Sequence, residues 1–205
     1  MVELDQPLFK RLALIGLGLI GSSIARGVKA TGLAAEIVAT DQSAEVRARA
    51  RTIALADRIA ETNAEAVKDA DLVIACVPVG VCGSVARSIK AHLTPGAIVS
   101  DVGSVKGAVV EAMQSQLPPS VHFVPAHPVA GTENSGPDAG FAELFVNRWC
   151  VLTPPQGTDP AAVEKLQRFW TALGANVETM DAEHHDRVLA ITSHLPHLIA
   201  YTIVG

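Results

Sequence analysis

Along the first 120 residues, short continuous apolar runs alternate with longer stretches in which apolar positions recur at helical spacing. RLALIG (11–16) is a buried-strand run that stops at Gly16, and GLGLIGSSIARGVKATG (16–32) keeps a helical period until Gly32. EIVAT (36–40) predicts a second strand ended by Asp41, followed by a charged helix over 43–54 with Ser43 as N-cap. A weak third strand is predicted near 57–61 and a short helix over 64–70. DLVIACVP (71–78) is a buried strand terminated by Pro78. A helix over 80–92, a turn at TPG (94–96), the strand AIVSDVGS (97–104) and a helix over 105–116, closed by Pro118 and Pro119, extend the rhythm. Strands and helices alternating through short connections predict an α/β protein with a doubly wound, mostly parallel sheet and right-handed crossovers.

The texture changes at VHFVPAHPVAGTENSGPDAG (121–140), one strand followed by a long loop rich in Gly, Pro, Asn and Asp. Loops of that length are usually functional. Further strands are predicted at 149–153 and 176–180, flanking a helix over 159–173 with Asp159 as cap and Pro160 as its first residue. Asp181 caps a last helical pattern, in which Pro196 predicts a kink or break. The pattern is still apolar at TIVG (202–205), so a further helical portion is expected.

Composition narrows the class. The 205 residues are 49% hydrophobic and 18% charged, which excludes a disordered chain. Sixteen Lys and Arg against 21 Asp and Glu give a net charge of −5, so neither nucleic acid nor an anionic membrane is an expected partner. With five Phe, two Trp and one Tyr, the core must be built from Ala, Val, Leu and Ile, as parallel sheets are. Cys76, Cys82 and Cys150 form no Cys-x-x-Cys pair, which predicts a reduced, cytoplasmic setting. Glu3 and Asp5 precede any apolar run, unlike a signal peptide, and no run approaches the roughly 18 apolar residues of a membrane helix.

Gly16-Leu17-Gly18-Leu19-Ile20-Gly21 matches G-x-G-x-x-G, a weak signal alone. Its context strengthens it: it follows a strand and opens a helix, and Asp41 ends the next strand twenty residues after Gly21. Gly16 permits the tight turn, Gly18 lets a pyrophosphate approach the backbone, and Gly21 lets helix and strand pack closely. The helix N-terminus, with Leu19 and Ile20 in its first turn, stabilises negative charge. Asp41 would accept hydrogen bonds from ribose hydroxyls and repel a 2′-phosphate, so a Rossmann-type domain that prefers NAD over NADP is predicted. Val77 and Pro78, at the carboxyl end of the fourth strand, line the nicotinamide side of that crevice. Cys76 beside them reads as core rather than as a reactive thiol.

Four of the seven histidines, His184, His185, His194 and His197, fall within fourteen residues. That density raises a metal site, but there is no His-Glu-x-x-His and hydride transfer needs no metal, so none is assigned. His184 reads as solvated surface. His127 differs, because it follows the strand HFVPA at a carboxyl end and heads the loop HPVAGTE, while Ser104 lies just past another strand end facing the same crevice. A hydroxyl beside an imidazole could be a nucleophile with its base, or a general base with an orienting partner; dinucleotide binding favours the second. Another NAD-dependent dehydrogenase of similar build would use a helical Lys as base, for which Lys106 is the one candidate. A non-catalytic nucleotide sensor is the other alternative.

These blocks resemble the prephenate/arogenate (cyclohexadienyl) dehydrogenases of tyrosine biosynthesis. The matching pieces are GLGLIGSS (16–23), DVGSVK (101–106), HPVAGTENSG (127–136) and HDRVLAITSHLPH (185–197), spread over nearly the whole chain in the family's order. The resemblance implies NAD-dependent oxidative decarboxylation of prephenate to 4-hydroxyphenylpyruvate, or of arogenate to tyrosine. It implies His127 as the base that takes the ring hydroxyl proton, and Ser104 as its hydrogen-bond partner and a contact to that hydroxyl. It places Thr132, Glu133 and His197 on the substrate side, with His185 and His194 nearby. It further implies that residues 1–180 form the NAD-binding domain and that 181–205 begin an all-helical dimerisation domain, whose remainder carries an arginine for the substrate carboxylate and builds a homodimer.

Overall fold

The computed structural model describes residues 6–191. Six parallel strands form the main sheet in the order β3-β2-β1-β4-β5-β6. They are β1 (Phe9–Ile15), β2 (Ala34–Thr40), β3 (Arg58–Ile59), β4 (Leu72–Ala75), β5 (Ile98–Asp101) and β6 (His122–Phe123). The connecting helices are α1 (Leu19–Thr31), α2 (Ala44–Thr52), α3 (Asn63–Val67), α4 (Cys82–Ile89) and α5 (Lys106–Gln114). The doubly wound reading therefore holds. β4 is buried at every position, and such continuous apolar runs are what a sheet covered on both faces requires.

The predicted single strand HFVPA (122–126) is in fact split between two. Val124 N–H still reaches Val99 O, but Pro125 has no N–H to continue the ladder with β5. The chain turns away there into β7 (Ala126–Pro128), which joins β8 (Trp149–Leu152) and β9 (Asn176–Thr179) in a second, three-stranded sheet. β7 runs antiparallel to β8, and β8 parallel to β9. α6 (Pro160–Ala172) covers this sheet with the buried rings of Phe169 and Trp170. Trp170 meets Phe145 edge-on, with centroids 5.2 Å apart, a favoured aromatic geometry.

The long loop between β7 and β8 lies folded over α1 and α2. Ser23 Oγ accepts from Phe141 N–H, Arg26 Nη2 donates to Pro137 O, and Arg49 clamps Asp138 with contacts of 2.6–3.0 Å. The predicted caps form: Ser43 accepts from Val46 N–H, Asp159 from Ala161 N–H, and Asp181 from His184 N–H. Asp181 opens α7 (Ala182–Leu189), which packs on α5. Pro196, His194 and His197 lie outside the described residues. Among the described residues no helix is long and apolar enough to cross a membrane.

Candidate active site

The glycine turn is as tight as the motif requires. Gly16 has φ +97°, in the left-handed region, and a Cβ there would sit 2.3 Å from Cys76 O. A Cβ on Gly21 would lie 2.1 Å from Gly16 O, so α1 can approach the turn this closely only with glycine. Gly18 is the opposite case: a Cβ there would meet no protein atom within 4 Å. It borders a cleft of about 370 Å³ whose lining includes Gly16, Asp41, Val77 and Pro78, together with Gln42 and Asn63. Leu19 and Ile20 are half-buried in the first turn of α1 and pack on the core. Asp41 Oδ2 accepts from Leu17 N–H at 2.8 Å and Oδ1 from Ser43 N–H at 2.9 Å. The carboxylate thus ties the glycine turn to the end of β2. An open-faced glycine at a helix N-terminus beside a fixed carboxylate fits the pyrophosphate and ribose of a dinucleotide. Burial pushes the Cys76 thiol far above its usual range, and Cys82 up to about 11, so neither is a thiolate at neutral pH.

The histidine half sits at the same carboxyl edge of the main sheet. β4, which leads into Val77 and Pro78, pairs with β5, and Ala75 stands opposite Asp101. Asp101 Oδ1 accepts from Ala126 N–H, and Oδ2 accepts from Lys106 Nζ at 2.5 Å and Gly103 N–H at 2.7 Å. Lys106 Nζ also donates to Ala126 O at 2.7 Å. Asp101 and Lys106 are completely buried; burial pushes the carboxyl up and the ammonium down. This pair fastens the residue preceding His127 to the end of β5.

His127, 8% exposed, stands in the middle of β7. Its Nδ1 lies 2.9 Å from Nε2 of His185 in α7, whose side chain is fully buried. His185 Nδ1 lies 2.8 Å from Asp186 Oδ1. The same carboxylate accepts from the first two amides of α5, Lys106 N–H on Oδ1 and Gly107 N–H on Oδ2, each at 2.8 Å. Burial would raise Asp186, but the hydrogen bonds from Gly107, His185 and Lys106 outweigh it and hold the carboxyl below its usual range. Burial, helped by Lys106, pulls the His185 pKa down against the opposing pull of Asp186 and holds it below its usual range, which favours the neutral imidazole.

Comparison with known proteins decides what this arrangement belongs to. The family model for the nucleotide-binding domain of prephenate dehydrogenase matches residues 24–179, and that for its dimerization domain matches 181–205. The chain belongs to the prephenate dehydrogenase family. It is 48% identical over 197 residues to the cyclohexadienyl dehydrogenase of Zymomonas mobilis, covering 96% of this chain and 67% of that one. The fold superposes on Aquifex aeolicus prephenate dehydrogenase, solved with hydroxyphenyl propionate and NAD+, at TM-score 0.87 and 30% identity. It matches Synechocystis arogenate dehydrogenase at 0.86 and 29%. Both cover 95% of this chain and 68% of the solved one, so the chain spans about two thirds of these relatives.

As a prephenate dehydrogenase domain, the chain arranges its sequence-derived candidates unevenly. Ser104 is exposed on the loop between β5 and α5 and, among the described residues, makes no hydrogen bond to His127. It is His185 that meets His127 Nδ1, because Asp186 docks α7 onto the start of α5. Thr132 and Glu133 are exposed on the loop, where Thr132 Oγ1 accepts from Asn134 N–H. His184 is exposed, as read from the sequence. Lys106, the alternative base, is buried against Asp101 and Ala126 O, remote from a base's need for an accessible lone pair. The sequence reading passes over Asp186, Asp101, Gln42 and Asn63. Only Asp186 carried a signal, lying directly after His185 in a capped helix.

Proposed function

We propose that this chain carries the NAD site and the catalytic histidine of a cytoplasmic, homodimeric cyclohexadienyl dehydrogenase that oxidatively decarboxylates prephenate or arogenate. The observation that carries the reading is His127. It is a nearly buried imidazole, held through Nδ1, on a strand fastened to the carboxyl edge of the sheet that bears the glycine turn. NAD, when bound along Gly16, Gly18 and Asp41, supplies the hydride acceptor.

His127 accepts the ring hydroxyl proton as the carbon bearing it loses hydride, and that carbon becomes a carbonyl. The ring carboxylate then leaves as CO₂, its bonding pair aromatises the ring to a phenolate, and that oxygen takes back the proton from His127 to give the phenol. A positioned base contributes about 10²–10⁴-fold, so alignment of substrate and cofactor supplies most of the remainder. Ser104, Thr132, Glu133 and His197 contact the substrate in this proposal, and residues beyond 205 supply the cation for its carboxylate and the dimer contact. The three cysteines, all free thiols, support the cytoplasmic setting.

The test is NADH formation by the full-length protein with NAD and either prephenate or arogenate. Turnover of at least one supports the proposal, and the ratio of kcat/KM values names the substrate. NAD binding with no turnover of either would replace it with nucleotide sensing.

A further inference from the structure

We infer that His185 and Asp186 are a positioning relay that fixes the tautomer of His127 and takes up the proton His127 receives; the inference rests on His127 as the base. The polarity of this relay starts from main-chain atoms at Asp186 and is completed by a buried, neutral His185 ring. Lys106 N–H and Gly107 N–H can only donate, so the Asp186 carboxylate that meets both at 2.8 Å is an acceptor on both oxygens. His185 Nδ1, 2.8 Å from Oδ1, must then carry a proton. A neutral His185 has its lone pair on Nε2, so His127 Nδ1, 2.9 Å away, must be the donor. The basic lone pair of His127 is therefore on Nε2. The reverse polarity needs either a protonated Asp186, which the two amides at the N-terminus of α5 oppose, or a His185 imidazolium in the resting enzyme, which burial of its ring disfavours.

The same chain gives the proton somewhere to go. The substrate O–H breaks as a bond forms to His127 Nε2, the Nδ1–H of His127 shifts to His185 Nε2, and His185 becomes an imidazolium paired with Asp186. The other charged groups acting on His185 are Lys106 from α5, which lowers its pKa, and Asp101 from β5, which raises it by less. The relay also crosses the two family matches. His127 lies in the nucleotide-binding match, while His185 and Asp186 lie in the match to the dimerization domain. A helix of the second domain thus completes the base of the first.

The experiment uses full-length protein labelled with ¹⁵N-histidine, with NAD bound, and reads the His127 ring nitrogens by NMR. Wild type is expected to show protonated Nδ1 and unprotonated Nε2. His185→Leu removes the acceptor and should mix the tautomers and lower kcat by about 10²-fold, with NAD affinity unchanged. His185→Gln, whose amide oxygen can accept from Nδ1 in place of Nε2 but cannot take up a proton, should restore the wild-type tautomer and recover only part of kcat. A protonated Nε2 in wild type, or His185→Leu with kcat within about twofold of wild type, overturns the relay. The wild-type spectrum decides the matter even if His185→Leu does not fold. It also needs no turnover, so the expected tautomer in a protein inactive on both substrates would overturn the proposed function alone.

Discussion

At the scale of single residues, the chemistry depends on His127 being neutral and correctly oriented. His127→Asn is expected to lower kcat by at least about 10²-fold while NAD binding, measured by fluorescence titration, stays within about twofold. His185 gives a second expectation. Its folded pKa lies below the usual 6.5 because burial disfavours the imidazolium, so below pH 6.5 the unfolded chain binds more protons than the folded one. Stability from this group is present above pH 6.5 and lost as pH falls from there toward the folded pKa. Asp186, held below its usual range, adds a loss only at lower pH, below about 3.8. Melting temperature should therefore decline from pH 7 to 5, and His185→Gln should flatten that decline; an unchanged slope would remove His185 as its source. His127 was legible in the sequence because it follows a strand end. Its partner was not. Ser104 and His127 both follow strand ends and so look adjacent, whereas the contact with His185 depends on a carboxylate in α7 capping α5 some 80 residues earlier, and no local periodicity reports that.

Elements explain why the glycine turn and carboxylate of the nucleotide cleft were legible and the second sheet was not. β1, β2 and β4 announce themselves as apolar runs because both faces of a parallel sheet are covered, and the glycine turn between β1 and α1 is a local motif. β6 and β7 are two and three residues long and continuous in apolar character, so only the missing N–H of Pro125 marks the change of sheet. Asp41 links the elements of the nucleotide site, since its two oxygens hold Leu17 N–H from the turn and Ser43 N–H from the cap of α2. A 2′-phosphate there would meet a carboxylate already fixed by the backbone and unable to swing away. NADPH is accordingly expected to bind at least about tenfold more weakly than NADH. Asp41→Asn should narrow that ratio while weakening NADH itself, because an amide can accept from only one of the two N–H groups. Equal affinities in the wild type, measured by protein-to-nicotinamide energy transfer, would defeat this account.

For the whole molecule, the decisive contact is the buried Lys106–Asp101 pair, which joins the main sheet to the strand bearing His127 while Asp186 joins the same helix to α7. Neither side chain touches solvent, so each ion depends on the other to offset its desolvation. Lys106→Met leaves Asp101 buried with only Gly103 and Ala126 N–H as partners, and such a loss is expected to cost about 3–5 kcal/mol in urea unfolding at pH 8. The pH dependence distinguishes an orphaned charge from lost packing. Burial already raises the Asp101 pKa, and without the ammonium it rises further, so the folded chain binds more protons than the unfolded one between the two values. Stability of Lys106→Met should then fall as pH rises from 5 to 8, opposite in sign to the contribution of His185. Adding Asp101→Asn removes the charge as well and should recover much of the loss at pH 8, whereas a cavity left by the lysine stem would persist in the double variant. If single and double variants are equally unstable at both pH values, the pair acts through shape rather than charge, and the two sheets are held by packing alone.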